Sequence, residues 1–262
     1  MIPHYQCVNK ITPDTILGWK KAHRKISALT AYDFPTAKLL DESGIDLVLV
    51  GDSLGMTVLG YPNTTHVLIE DMIYHTRAVA RGVSSALLVA DLPIYSYETP
   101  ELAVQSSGRL ISAGADAVKL EGGRACAKQI QAVTGAGIPF VGHIGMLPQH
   151  VLEEGGYHRK GRTAIEREFL IEEAKTIESS GGFAVVLELV ESSTAAEITR
   201  AISIPTIGIG SGTECDGQIL VFHDLVGYFP WFTPKHVKPE CDVAEEIRKA
   251  AKAYIARTRE GG

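Results

Sequence analysis

The sequence predicts an α/β protein built as a closed (β/α)8 barrel, and three observations carry that expectation. Short β-branched or Leu-rich runs alternate with longer amphipathic stretches, the pattern of parallel strands with helices outside. The chain has 262 residues, close to the size of one such barrel. No linker, low-complexity segment or shift of composition divides it, so one domain over residues 1–262 is expected, with a short N-terminal extension and a C-terminal helix. An open doubly wound sheet satisfies the alternation too; the undivided chain favours closure.

Taken in order, strands are expected at 26–29, 46–50, 86–90, 117–120, 139–142, 184–187 and 206–209. The eighth is the least determined, because 218–222 serves equally as a strand or a helix. Ile69, Met72, Ile73, Thr76, Val79 and Ala80 recur at the three-and-four spacing of one helix face. Phe169, Leu170, Ala174 and Ile177 do the same, as do Val243, Ile247, Ala250, Ala251 and Tyr254. Ser-Gly-Ile-Asp-Leu-Val (43–48) and Ser-Ala-Gly-Ala-Asp-Ala-Val (112–118) repeat one grammar, a helix stopping at glycine with a buried strand directly behind it. The charged, glycine-containing stretch 148–163 reads as a long loop and a lid.

Composition narrows the function. Lys and Arg total 25 against 31 Asp and Glu, a net charge of −6, and no basic run reaches five residues. A nucleic-acid or anionic-membrane partner is therefore not expected. No apolar stretch approaches the length of about 18 residues that a membrane helix needs. The first ten residues lack the layout of a secretory signal. Cys7, Cys126, Cys215 and Cys241 are far apart, form no C-x-x-C pair and read as reduced thiols of a cytoplasmic protein.

What ends the strands is more informative. With a period of two, Val48, Val50 and Asp52 share a face, as do Leu87, Val89 and Asp91; Ala117, Lys119 and Glu121; and Ala184, Val186 and Glu188. Four acids thus stand at the C-terminal ends of four strands, and His143 follows a fifth. In a barrel these ends share one mouth, where active sites are built. Crowded carboxylates repel unless a cation sits among them, and a hard divalent cation, Mg²⁺ by default, resolves the repulsion. Taken singly, Asp52 and Asp91 read as helix caps, and Glu121 and Glu188 as partners of surface cations. The recurring registration favours a site.

Other signals weigh less. Gly208, Gly210 and Gly212 lack the spacing and the βαβ context of a dinucleotide loop and read as a tight strand-end loop. Lys119 is a poor Schiff-base nucleophile, since Glu121 on its face favours the ammonium. Ser53 and Tyr32 have no nearby His to make a hydrolase nucleophile.

These residues carry a resemblance. Thr-Ala-Tyr-Asp (30–33), Val-Gly-Asp-Ser-Leu-Gly-Met (50–56), Ala-Asp-Leu-Pro (90–93) and Val-Lys-Leu-Glu-Gly-Gly (118–123) stand in one order. Gly-His-Ile-Gly-Met-Leu-Pro-Gln (142–149), Leu-Glu-Leu-Val (187–190), Ile-Gly-Ile-Gly-Ser-Gly (207–212) and Asp-Gly-Gln-Ile-Leu-Val (216–221) continue it. Jointly they resemble the ketopantoate hydroxymethyltransferase (3-methyl-2-oxobutanoate hydroxymethyltransferase) family. The resemblance implies a (β/α)8 TIM barrel of the phosphoenolpyruvate mutase and isocitrate lyase-like type. It implies transfer of a one-carbon unit from 5,10-methylenetetrahydrofolate to 3-methyl-2-oxobutanoate, giving 2-dehydropantoate in pantothenate synthesis, with Mg²⁺ as the metal. By motif, Asp52 and Asp91 resemble the direct metal ligands, and Glu121 a third acid at the metal. Ser53, Lys119 and His143 resemble substrate contacts beside Asp52 and Asp91, and Glu188 resembles the base that removes the C3 proton. The resemblance also implies a homo-oligomer, with a decamer as the suggested form.

The chain departs from the family pattern in places. Ser211 stands where Ala is common, and His236 replaces an aromatic residue. After Gly155-Gly156-Tyr157 the chain reads His158-Arg159-Lys160-Gly161-Arg162, more basic than usual, and these cations are expected to hold the anionic tail of the folate. The competing reading is a Mg²⁺-dependent 2-oxo acid lyase or aldolase of the same barrel type. Such lyases generally carry Cys-Gly-His, whereas Val141 precedes Gly142-His143 here.

Overall fold

The computed structural model describes residues 9–260, so Cys7 lies outside the described residues. The chain forms two compact units, one ending at Ile219 and the other beginning at Leu220. Eight parallel strands close a barrel in sequence order: β1 (Ile26–Thr30), β2 (Leu47–Val50), β3 (Leu87–Asp91), β4 (Ala117–Lys119), β5 (Phe140–Gly145), β6 (Ala184–Glu188), β7 (Thr206–Ile209) and β8 (Gly217–Leu220).

The helices are α1 (Pro13–Lys21), α2 (Phe34–Glu42), α3 (Leu54–Thr57), α4 (Ile69–Ala80), α5 (Pro100–Ser112), α6 (Ala127–Gly135), α7 (Val151–Glu154), α8 (Ala164–Ser179), α9 (Ser192–Ala201), α10 (Phe222–Leu225) and α11 (Val243–Glu260). Local chemistry starts and stops them. Asp33 caps α2 by accepting from the Thr36 N–H at 2.8 Å, and Thr163 with Glu166 forms a capping box on α8. Gly44 and Gly114, at φ +81° and +112°, follow α2 and α5 and turn the chain into β2 and β4, as the repeated grammar requires.

One apolar cluster fills the barrel. Ala28, Leu47, Leu49, Leu87, Val89, Ala117, Val141, Ala184, Val186, Ile207 and Ile219 point inward, and Ile16 of α1 joins them near the strand starts. Strand register stacks them in layers: Leu49 opposes Val89, Val89 opposes Ala117, and Val141 opposes Ala184. One layer higher the same faces turn polar. Asp91 opposes Lys119, and His143 lies one step beyond Val141 on its face. The barrel interior therefore supports the mouth as a floor.

Four expectations are corrected. On β2 the inward residues are Leu47 and Leu49, not Val48 and Val50, which are buried on the outer face. No helix lies between β7 and β8; residues 210–216 link them directly, with Gly210 and Gly212 at positive φ, so the β/α alternation lapses once. The expected apolar faces of α8 and α11 are partly exposed: Phe169 is 52% exposed, and Ile247 and Tyr254 are 47% and 64% exposed. The stretch 148–163 is not a long irregular loop, because a 3-10 turn (Pro148–His150) and α7 take up its first half. The ambiguous 218–222 divides between β8 and the start of α10.

Candidate active site

Every acid expected at the mouth is there. Asp91 ends β3, and its Oδ1 stands 2.9 Å from the Lys119 ammonium on β4. Asp52 has the wrong parity to reach the interior by continuing β2. The strand stops at Val50, and the turn through Gly51 into α3 brings its carboxylate back to the site. The Asp52 N–H donates to Asp91 Oδ2 at 3.2 Å, and its Oδ2 accepts from the Gln149 side chain at 2.8 Å. Neither aspartate caps a helix, which removes the cap reading. Glu121 lies just past β4; its Oε2 accepts from the Gln149 N–H at 3.0 Å and its Oε1 lies 3.5 Å from His143 Nδ1. The other imidazole nitrogen is 3.3 Å from Glu188 Oε2, and Lys119 Nζ is 3.3 Å from His143 Nδ1. Ser53 Oγ pairs with the Tyr32 hydroxyl at 2.8 Å.

Burial separates these groups. Asp52, Asp91, Lys119, Glu121 and His143 are each 5% exposed or less, whereas the Glu188 side chain is 16% exposed. Burial, reinforced by Asp91 and Glu121, pushes the Asp52 carboxyl well above its usual range against the pull of Lys119 and Gln149. Burial also raises Asp91, although Lys119 offsets part of it. For Lys119 the burial penalty is outweighed by Asp91, Glu121 and Asp52, which keep it an ammonium. Burial and Lys119 disfavour a charged His143, yet Glu121 and Glu188 on its two sides hold its pKa up at about 9. The Lys119 ammonium and a charged His143 stand among four carboxylates, so negative charge is still in surplus.

The turn after Glu188 is braced. Leu189 sits at φ +48°, a left-handed conformation that costs a non-glycine residue about 1–2 kcal/mol. Ser211 Oγ accepts from the Val190 N–H at 3.0 Å and donates to the Leu187 carbonyl at 2.7 Å. Arg159 Nη1 donates to the carbonyls of Val190 and Gly210, both at 2.9 Å. Gly145 at φ +101° lies so close that a side chain would strike the Glu188 carbonyl. Arg159 and Lys160, which pairs with Glu154 at 2.5 Å, are thus engaged within the chain rather than held out for a folate tail.

Sequence reasoning missed Gln149, Tyr97 and Tyr157. Gln149 closes a quoted motif, but nothing in its type or spacing marks it as buried between two acids. Tyr157 follows Gly155 and Gly156, both at positive φ, and its hydroxyl is 3.9 Å from Met56 Sδ. Partial burial, at 46% exposure, together with Glu188, Asp52 and Glu121, raises that phenol above its usual range.

The sequence profile of the ketopantoate hydroxymethyltransferase family matches residues 10–262. The chain belongs to that family. It is 50% identical over 255 residues to the 3-methyl-2-oxobutanoate hydroxymethyltransferase of Acetivibrio thermocellus, covering 97% of this chain and 90% of that one. It is 51% identical to the enzyme of the same name from Pyrobaculum islandicum, covering 94% and 95%. The barrel is therefore that of a hydroxymethyltransferase. Solved structures with the same fold include phosphonopyruvate hydrolase in complex with oxalate and Mg²⁺ (TM-score 0.63, 14% identity, 96% of this chain and 88% of that one). Phosphoenolpyruvate phosphomutase from Streptomyces platensis subsp. rosaceus is another (TM-score 0.64, 13% identity, 95% and 88%). At that identity they establish the type of barrel alone.

Proposed function

We propose that this enzyme transfers the one-carbon unit of 5,10-methylenetetrahydrofolate to 3-methyl-2-oxobutanoate, giving 2-dehydropantoate, with Glu188 as the catalytic base. The observation that carries the reading is the charge pattern: the three buried acids, counted with Glu188, outnumber the buried cations Lys119 and His143, and Glu188 is the most exposed of the four acids.

A divalent cation suits this donor set. Among the described residues no three His, Cys, Asp or Glu side chains form a ready metal cage. Two carboxylates joined by substrate oxygens and water are an ordinary Mg²⁺ environment, and oxygen donors select a hard ion. Asp52 and Asp91 would hold the cation directly, with Glu121 as the third acid beside it. When bound, Mg²⁺ supplies Lewis acidity to a chelating 2-oxo acid.

The protein's own groups do the rest. Asp52, Ser53, Asp91, Lys119 and His143 surround the keto acid. Glu188 removes the C3 proton, and its position beside His143 Nε2 orients it. Lys119, held charged by its acidic neighbours, stabilises negative charge as the proton leaves. The C3 nucleophile then bonds to the methylene carbon of the folate as both C–N bonds to that carbon break; one water supplies the product hydroxyl, and tetrahydrofolate leaves with its nitrogens protonated. Charged, buried Lys119 is unsuited to covalent catalysis.

No described helix is long and apolar enough to cross a membrane. Cys126, Cys215 and Cys241 are free, which supports a reducing compartment, the cytoplasm. Exposed Ile247, Tyr254 and Ile255 on α11 support a homo-oligomer, for which a decamer is the form we propose.

The test follows 2-dehydropantoate formation from both substrates with Mg²⁺ and with excess EDTA. Metal-dependent product is expected. Cleavage of the keto acid without transfer would replace this reading with that of a Mg²⁺-dependent 2-oxo acid lyase.

A further inference from the structure

Gln149 occupies the 3-10 turn Pro148–His150 after β5 and is 2% exposed. Its backbone N–H donates to Glu121 Oε2 at 3.0 Å. Its side-chain Nε2 donates to Asp52 Oδ2 at 2.8 Å and to the Leu92 carbonyl at 3.0 Å, which uses both amide hydrogens. Its Oε1 accepts from the Tyr97 hydroxyl at 2.5 Å. One residue therefore holds an oxygen of each of two acids on different strand ends.

We propose that Gln149 is a positioning residue for the divalent cation, presetting Asp52 and Glu121, with Tyr97 fixing which way its amide faces. This rests on the reading of the carboxylates as a metal site. Three physical features support it.

Gln149 is a neutral donor. It stabilises the two acids without neutralising them, so the negative charge that draws a dication survives. A lysine or arginine here would compete for the same carboxylates, and a glutamate would add to their repulsion.

Only one amide orientation works. Flipped, Oε1 would face the Leu92 carbonyl, itself an acceptor, and the donor to Leu92 would be lost. Tyr97 enforces the observed orientation because a phenol can donate to Oε1. Tyr97 is 8% exposed, and its neutral phenol donates to Gln149 Oε1.

The third feature is geometric. Asp52 reaches the site from a turn, not from a strand, and so lacks the ladder that fixes Asp91 and Lys119. The Gln149 contact supplies that constraint from the opposite side of the mouth. Partners of ligating groups typically change metal affinity by about 10–100-fold when removed.

The test is calorimetric titration of the full-length protein, free of metal and substrate, with Mn²⁺. Circular dichroism and thermal melts check the fold of each variant. Gln149→Leu is expected to weaken binding by about 10-fold or more. Tyr97→Phe, which keeps the amide but frees it to rotate, is expected to show a smaller loss in the same direction. In both, the KM for Mg²⁺ rises by a larger factor than kcat falls. A merely structural residue would lower the melting temperature without moving the dissociation constant. Gln149→Leu binding Mn²⁺ as tightly as the parent overturns the proposal. Should Gln149→Leu fail to fold, Tyr97→Phe decides: unchanged affinity there overturns it equally. If the parent binds no Mn²⁺, the metal-site reading itself fails, and this inference falls with it.

Discussion

At the end of the barrel where the strands begin, Asp41 is 7% exposed; at the mouth, Asp52 is 5% exposed. Similar exposure goes with opposite chemistry, because Asp52 is the more deeply enclosed and Asp41 the better supplied with donors. Asp41 accepts from the N–H groups of Ser84, Ser85 and Ala86 at 2.8–3.1 Å and from the Ser84 hydroxyl at 2.6 Å. Burial disfavours its charge, but these four donors win and hold its pKa below the usual value. Asp46 pairs with Arg24 and Ser27, and Asp216 with Lys20 and Thr206. At the mouth, Asp52, Asp91 and Glu121 share Lys119, His143 and a few neutral donors, and burial wins for Asp52. A buried acid is thus no sign of a site; a buried acid short of partners is. One end of the barrel uses carboxylates to tie loops to strands, and the other keeps them available.

The largest effect should come at the mouth. Asp52→Asn retains an acceptor for Gln149 but removes the charge proposed to ligate the metal, so product formation should fall by about 10³-fold or more. The same change relieves repulsion and should raise the melting temperature of the metal-free protein. A lower melting temperature would place Asp52 with Asp41 as a structural acid.

The converse comes next. Asp41→Asn keeps one acceptor but sets an NH₂ against backbone N–H donors, and should cost about 2–4 kcal/mol in urea unfolding. Its kcat should match the parent. Loss of activity without loss of stability would break the distinction between the two ends.

The pH dependence sharpens it further. The folded pKa of Asp41 is depressed, so its contribution is complete above its unfolded value of about 3.9 and is lost as pH falls through the folded value. The stability gap between parent and Asp41→Asn should be constant above about pH 5 and close below about pH 4. Asp52 has the opposite sign: its raised pKa means that protonation on acidification relieves the mouth. A gap to Asp41→Asn that widened with acid would contradict the first assignment, and a gap to Asp52→Asn that widened with acid would contradict the second.

The smallest effect is expected at Arg159. Because it holds the carbonyls of Val190 and Gly210, Arg159→Ala should lower kcat several-fold through the turn behind Glu188. The KM for the folate should not change; a large rise there would restore the basic stretch as a binding element.

Much of this was legible in the sequence. Strand 206–209 has the expected bounds, because a proline before it and glycines after it punctuate an apolar run. β5 runs on to Gly145 because His143 and Gly145 pair in the ladder though neither is apolar. Asp91, Lys119, Glu121 and Glu188 follow from period-two registration. Asp52 reaches the site for a different reason: the registration on β2 was off by one, and a turn corrected it. Since all of β2 is buried, apolarity cannot say which face is inward. Gln149 and the Arg159 brace depend on contacts between segments far apart in sequence, which local pattern does not encode. The exposed stripe of α11 has a helical period, but periodicity reveals a face and not what covers it.

The most direct test of the division between open and held acids is exchange of the C3 proton of 3-methyl-2-oxobutanoate in D₂O, followed by NMR with Mg²⁺ and no folate. The parent should exchange it, and Glu188→Gln should lose the activity by at least about 10²-fold. Exchange undiminished in Glu188→Gln would mean that the one open acid at the mouth is not the base.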